Sequence, residues 1–592
     1  MLFRKYRPLG SAAVLSLALM GAALSYGDDY SWEKVVQAPV DESYFGSGDP
    51  RNLYDPRSDK HPLPGSVEKR NGGYAWGVTN VGDEIWYGAF INGWCDIWLY
   101  HAGLPARNEQ TKHLYNYNSK INACSIPDNN RKPELYIFNT KTDDLEIYSN
   151  SDSEFNQYWD GVKAIRGAGN INGIIFIAGL VAENIQPSEH MSNEANEYFW
   201  DGTRIFAIDA KTRKYLGSVL LDGLNEIREL KTVEHPDGTS GLYLAASNRG
   251  GESYLMRWTG TKENPFPPRE SKKFQGFDIV IDNSGYGLIG EIVPFSAKDG
   301  SYRLAFSTWH SWPAHKKSGG LIVTSPMPVN GFSKTKPATI KPIFMLEDFD
   351  PDKLFGYIWG GGLLSEYKGK FYFGTMMIGN SYARDYYSYD KALAKSTASQ
   401  EQLVKATYSR AAHLFEIDLA DLNAPKVKML YGNEYLPAYN GKTRAWEMRR
   451  NKMGLKPIHG SAGFGFGTNN YTWKSFVYKD KLFIGTMDYS GGLEDYIHNT
   501  NYDEERQEFF IHTAYRVAQE RGYVGGGDLV VLEDPEKPVR VLSANGFGNE
   551  NNNGFRTFVE VNGDLYIGTS SEANIGKHAG YAIYRLNISG NK

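Results

Sequence analysis

Apolar residues recur along this chain in short alternating runs, each broken by a tight polar turn and resumed by a run ending in Gly-Thr or a near equivalent. Trp473 to Thr486 and Arg556 to Thr569 are the clearest copies. Trp76 to Ala89, Arg166 to Gly179 and Gly361 to Thr375 follow the same register, while Glu226 to Ala246 and Gly287 to Thr308 carry longer turns. A period of two reads as a half-buried strand, and Asn172-Gly173 and Asn562-Gly563 are two-residue hairpin signals. Each copy therefore predicts an antiparallel strand pair. A second hairpin follows each copy, as in Leu135 to Tyr148 and Arg204 to Leu216.

Four strands per repeat make a propeller blade, and seven copies predict an all-β chain: a single seven-bladed β-propeller with helical insertions in the loops of one face. Eight blades, or two separate β domains, are the alternatives. The outer hairpins resemble the strand–turn–strand of quinoprotein-type propeller repeats, although the tryptophan-docking pattern of that family is absent. The last repeat stops after three strands, at Tyr581 to Asn587, so its fourth strand is expected from Tyr30 to Gln37. Such pairing would remove an exposed sheet edge.

Alternating strands put the turns inside each strand pair on one face and the remaining connections on the other. The first kind is short. The second holds the insertions, including 92–132, 182–203, 379–411, 433–470 and 489–525. Long loops gathered on a rigid scaffold are where binding and catalysis usually sit. Two of them read as partly helical, 385–411 and 503–521.

Composition adds the compartment. Arg4, Lys5 and Arg7 precede an apolar stretch from Ser11 to Leu24, shorter than the roughly 20 residues a membrane span needs. Small residues at Ala23 and Ser25 fit a cleavage site, so 1–25 reads as a signal peptide and 26–592 as the secreted or periplasmic propeller. The net charge of −5 argues against a nucleic-acid partner, which selects a basic face. Cys95 and Cys124 are the only two cysteines, and an exported pair predicts a disulfide worth about 3 kcal/mol.

Candidate chemistry concentrates where the first strand of each repeat begins. Aligned across copies, that position holds Trp76, Arg166, Arg228, Trp473 and Arg556. Guanidinium groups bind carboxylate or sulfate bidentately and aromatic faces stack on sugars; packing between blades is the competing use of such side chains. Loops before two of these strands, Gly465 to Tyr471 and Gly546 to Asn553, are similar and carry paired asparagines. Asn470 and Asn553 can serve a sugar, a structural calcium ion, or the neighbouring backbone. No Cys/His spacing points to another metal. His310, between Trp309 and Trp312, and His459 are candidate bases, with Tyr471 and Tyr489 as candidate proton donors.

These features predict a secreted propeller that binds a carbohydrate or protein ligand on its loop-rich face. A propeller polysaccharide lyase, or another carbohydrate-active enzyme acting on an anionic polysaccharide, is the second reading, and an envelope-assembly scaffold the third. No sialidase-type Asp box, kelch double glycine or peptidase triad order is present.

Overall fold

The computed structural model describes residues 29–46, 49, 51, 61–91, 123, 133–181, 202–248, 252–268, 274–310, 317–377, 383, 386, 397–488, 490–493 and 508–588. The leader 1–25, Cys95, Cys124 and Tyr489 lie outside these residues.

Strand β1 (Tyr30–Gln37) is followed by a small ribbon of β2 (Glu42–Tyr44) and β3 (Val67–Lys69). Four-stranded antiparallel units then succeed one another. Unit 1 comprises β4 (Gly72–Val81), β5 (Glu84–Ile91), β6 (Leu135–Asn139) and β7 (Asp144–Ile147). Unit 2 comprises β8 (Val162–Ile171), β9 (Ile174–Val181), β10 (Gly202–Asp209) and β11 (Tyr215–Asp222). Unit 3 comprises β12 (Glu226–Glu234), β13 (Ser240–Ser247), β14 (Ser253–Trp258) and β15 (Phe277–Ile281). Unit 4 comprises β16 (Ile289–Ser296), β17 (Tyr302–Thr308), β18 (Gly320–Thr324) and β19 (Ile340–Met345). Unit 5 comprises β20 (Gly360–Tyr367), β21 (Lys370–Met376), β22 (Leu414–Asp418) and β23 (Lys426–Tyr431). An inserted hairpin, β24 (Tyr435–Asn440) with β25 (Ala445–Arg450), leads to β26 (Pro457–Gly460), which lies parallel to β23. Unit 6 comprises β27 (Tyr471–Tyr478), β28 (Lys481–Met487), β29 (Leu529–Leu532) and β30 (Arg540–Ser543). The last run is β31 (Gly554–Val561), β32 (Asp564–Ser570) and β33 (Ala582–Ile588). Its outer neighbour is β1, antiparallel, with Tyr30 opposite Ile588 and Gln37 opposite Ala582. The fold is all-β, of the propeller class, with few helices.

First strands abut in cyclic order, β4 to β8, β12, β16, β20, β27, β31 and back to β4. The Gly-Thr repeat has a physical role in this packing. A Cβ on Gly485 would sit 2.6 Å from the Phe555 carbonyl oxygen of the next unit, and one on Gly88 would sit 2.2 Å from Ile165. Only glycine lets these units approach so closely. The threonine that ends the run, after glycine in three units and after Ser307 in unit 4, clips the start of the third strand: Thr308, Thr375, Thr486 and Thr569 hydroxyls accept backbone N–H bonds from Gly320, His413, Asp528 and Ala582 at 2.8–3.1 Å. Turns within strand pairs are tight where Asn172-Gly173 and Asn562-Gly563 take positive φ (+53°, +74° and +55°, +83°), the geometry a two-residue hairpin requires. The turns between third and fourth strands are not uniformly short, since 259–276 and 325–339 are long connections on that same face.

Helices Thr397–Tyr408 and Glu508–Glu520 lie within the two insertions expected to be helical and pack on each other. They bury Leu403, Val404, Ala514 and Val517. Beside the first, Arg410 and Asp350 form a bidentate pair at 2.6 and 2.7 Å, both side chains at 0% exposure. Arg410 also donates to the carbonyls of Ala406 and Pro437 and stacks on Phe355.

Two histidines are buried neutral. His413 donates from Nδ1 to the Ala411 carbonyl (2.7 Å) and accepts at Nε2 from Asn433 N–H (3.1 Å), which fixes one tautomer. His235 bridges Thr239 and Tyr243. Burial lowers both from 6.5 to about 4. Because the folded pKa lies below the unfolded one, the folded state binds fewer protons. Each histidine's contribution is intact above pH 6.5 and is lost as pH falls to about 4, at about 1.4 kcal/mol per pH unit. Buried Asp350, Asp488 and Asp528, raised by burial, act with the opposite sign. The informative quantity is therefore a difference: His235→Gln should lose less stability than the parent between pH 7.5 and 5 in urea titrations. Parallel pH profiles would contradict the assignment.

Candidate axial site

Every first strand carries a β-bulge at the same place. The register shifts fall between Ala75 and Val78, Ile165 and Gly167, Ile227 and Leu230, Ile289 and Glu291, Gly361 and Leu364, Thr472 and Lys474, and Phe555 and Thr557. The residues skipped include Trp76, Arg166, Arg228, Gly290, Gly362, Trp473 and Arg556. A bulge sets two residues against one on the partner strand and re-aims their side chains. Here it lets successive residues line the space between the first strands, a cavity of about 470 Å³.

One layer of that cavity is cationic and aromatic. Arg556 is 6% exposed, with its guanidinium 5.2 Å from the Trp473 ring and 5.7 Å from the Trp76 ring. Its Nε is buried without a hydrogen-bond partner, and no carboxylate among the described residues pairs with it. Burial, and then the nearby Arg228, push its pKa down from 12.5 to about 10. Arg228 is likewise without a carboxylate among the described residues, and its Nε is buried and unbonded. It stacks at 3.8 Å on Trp309. That indole stands beside Gly290, where a Cβ would lie 3.6 Å from its Nε1.

The next residue along each strand forms a second layer. Lys474 of unit 6 reaches Glu291 of unit 4 at 2.5 Å and Glu229 of unit 3 at 3.6 Å. Units 6 and 3 do not abut, so this cluster spans the cavity. Burial raises Glu291 from 4.5 to about 7; Lys474 opposes the shift and Glu229 adds to it. Burial pushes against the Lys474 ammonium, but the two carboxylates outweigh it and hold its pKa above the ordinary value. Beyond this layer the lining continues through Ser365, Ser475, Asn80 and Asn170 toward the turns within strand pairs.

The sequence-derived residues separate here. Arg166 also lines the cavity and is paired with Glu226, the first residue of the neighbouring unit, which distinguishes it from Arg228 and Arg556. Trp76 lines the cavity. Trp473 does not, and packs instead among Tyr74, Tyr471 and Arg556. Tyr471 stands at the insertion-side edge of the aromatic group, 6.2 Å from Trp309. His310 is 9% exposed, buried next to Gly360; its neighbour Trp309 is the residue that reaches the arginine. His459 lies on β26, outside the fourth strand of unit 5, where its Nε2 meets the Pro535 carbonyl at 2.9 Å. It is remote from the axis because β26 extends the outer edge of the sheet.

The Asn553 amide donates to Glu572 at 3.3 Å and its carbonyl accepts from Ser570. Asn470 is 2% exposed, and its Oδ1 has no hydrogen-bond partner among the described residues. The two asparagine loops match with an offset of two residues from the sequence pairing. Left-handed Gly463-Phe464-Gly465 (φ +72°, +59°, +92°) corresponds to Gly546-Phe547-Gly548 (+62°, +59°, +79°); Phe464 packs on Tyr431 of β23, and Phe547 on Phe555 of β31 and Tyr584 of β33. Among the described residues no group of three His, Cys, Asp or Glu side chains is placed to hold a metal ion, and no helix is long and apolar enough to cross a membrane.

Sequence alignment of the repeats alone did not single out Glu229, Glu291, Lys474 or Trp309. The first three follow the bulge position directly, as Arg-Glu, Gly-Glu and Trp-Lys. Charged residues inside otherwise apolar first strands were the available signal.

A strand pattern of this kind, surrounding a lined axial cavity, defines a propeller-class protein. No protein-family model matches the chain, and no curated protein does. Among solved structures it is similar to a prolyl endopeptidase at 9% identity and TM-score 0.36, covering 88% of this chain and 51% of that one, so the chain spans about half the endopeptidase's length. It is similar to the Dos1 propeller at 8% identity and TM-score 0.38, covering 88% and 93%. The polysaccharide lyase Uly1 is similar at 6% identity and TM-score 0.34, covering 95% and 99%. Likenesses at this level assign no function to the chain.

Proposed function

We propose that the chain is an exported seven-bladed propeller, sealed by β1, whose axial site binds the acid group of a small sugar acid. Seven four-stranded units, counting β1 with β31–β33, support the architecture; the basic and apolar leader supports export, which also favours a Cys95–Cys124 disulfide.

One observation carries the ligand assignment: Arg228 and Arg556 share a cavity with no carboxylate partner for either among the described residues. Removing one partner of a buried charge pair costs about 3–5 kcal/mol, so a buried guanidinium without an anion is a standing cost that a ligand carboxylate or sulfate would relieve. Trp76, which lines the cavity, offers a face for a sugar ring, and Trp309 backs the Arg228 guanidinium. The carboxylates of Glu229 and Glu291 accept hydrogen bonds from ligand hydroxyls, and Lys474 donates. A cavity of about 470 Å³ falls in the ordinary range for small ligands, about 300–1,000 Å³. It suits a monosaccharide or chain end, not the middle of a polymer.

The test is a thermal-shift and calorimetric panel of glucuronate, galacturonate and a sulfated monosaccharide against glucose and galactose. A ligand at 100 times its Kd stabilises the fold by about 2.7 kcal/mol. Acid sugars should shift the melt and neutral ones should not. Equal responses to both classes, or to neither, would overturn the reading.

A further inference from the structure

We propose that the hairpin β24–β25, with the loop to β26, docks onto an anionic lipid surface. Four of the ten exposed large hydrophobic side chains in the described chain fall within this one insertion: Tyr435 (51% exposed), Met448 (63%), Met453 (39%) and Ile458 (54%). Between residues 434 and 458 stand six Lys or Arg against two Glu, in a chain whose net charge is −5. Positive charge and exposed apolar surface are therefore concentrated together.

The register fixes a shared face. Tyr435 is opposite Arg450 and Pro437 opposite Met448, so these four project from one side of the hairpin at its open end, as alternation requires, while Tyr439 and Trp446, nearer the turn on that side, pack on the core beside Phe355 and Tyr386. The hairpin is anchored from its other side as well. Leu436 and Ala438 are buried, Tyr439 N–H donates to Asp352 at 2.9 Å, and the Pro437 carbonyl accepts from Arg410. Part of the charge is neutralised locally, through Arg449–Glu447 and Arg450–Glu434. Lys442 and Arg444 at the tip are exposed and have no carboxylate partner among the described residues.

Charge complementarity selects an anionic partner, and the apolar residues select lipid over a soluble polyanion. A polyanion needs cations alone. A headgroup layer takes cations at its phosphates and Met or Ile side chains below them, with tyrosine favoured at the boundary. The hairpin is already seated on the fold, so little ordering is needed at contact.

Co-sedimentation of the full mature chain with phosphatidylcholine vesicles, with and without phosphatidylglycerol, tests the proposal. Binding is expected only with the anionic lipid, falling as salt is raised. K442A and R444A should each lower the partition coefficient about fivefold. M448S with I458S should lower it further, by at least about tenfold, without changing the salt dependence. These side chains are exposed, so circular dichroism and melting should match the parent. Failure of the unaltered chain to bind anionic vesicles would overturn the proposal. So would full displacement by dextran sulfate together with unchanged binding of M448S/I458S, which would mark a soluble-polyanion surface instead.

Discussion

A mature chain lacking residues 30–37 is expected to lose about 5 kcal/mol of stability. Tyr30 and Val36 are 6% and 5% exposed, Trp32 stacks on Phe547 at 4.5 Å, and Tyr30 donates to Glu533 at 2.5 Å. Each such side chain is worth about 1.5–3 kcal/mol of burial, and deletion also bares the edge of β33 to aggregation. Chemical denaturation of the truncated and parent chains measures the loss. An unchanged midpoint would contradict the closing role of β1.

Arg410→Ala is the second large effect. It leaves the Asp350 carboxylate fully buried without its partner, and breaking a buried pair in this way costs about 3–5 kcal/mol. Burial already raises Asp350, with Arg410 opposing; the variant should therefore take up a proton at Asp350 and recover part of its stability in mild acid. Replacing both residues, as Asp350→Ala with Arg410→Met, should cost less than Arg410→Ala alone, because no charge is then stranded. Urea titrations of Asp350→Ala, Arg410→Met and the variant combining them give the coupling energy directly. A double variant less stable than the sum of the singles would mean the pair is not the interaction that matters.

Local features were legible in the sequence because their causes are local. Asn562-Gly563 and Asn172-Gly173 announce their turns, and period-two alternation announces the strands. The Gly-Thr repeat was visible, although its reason emerges only when Gly485 is seen against Phe555. What could not be read depends on residues far apart in the chain. Arg166 meets Glu226 across 60 positions, and Lys474 meets Glu291 across 183. Trp309 enters the axial layer from a loop after β17, filling room left by Gly290, and no repeat position encodes it. The five aligned residues share a bulge but not one set of contacts: Arg228 and Arg556 have no carboxylate partner among the described residues, Arg166 is paired with Glu226, and Trp473 packs away from the cavity. His459 looked like a loop histidine, since nothing in Pro-Ile-His-Gly reveals a strand added in parallel at the sheet edge.

Arg556→Met tests the axial site most directly, with stability and binding measured on the same preparation. Methionine keeps an unbranched apolar body between Trp76 and Trp473 while removing a buried charge that has no carboxylate partner among the described residues. Replacing a poorly compensated buried charge by a packed apolar side chain is often neutral or stabilising. The melting temperature should therefore hold or rise, while affinity for the acid sugar falls by about 1.5–3 kcal/mol, the scale of a charge-assisted hydrogen bond. A variant that melts lower and binds acid sugars as tightly as the parent would show that Arg556 packs the fold and recognises nothing.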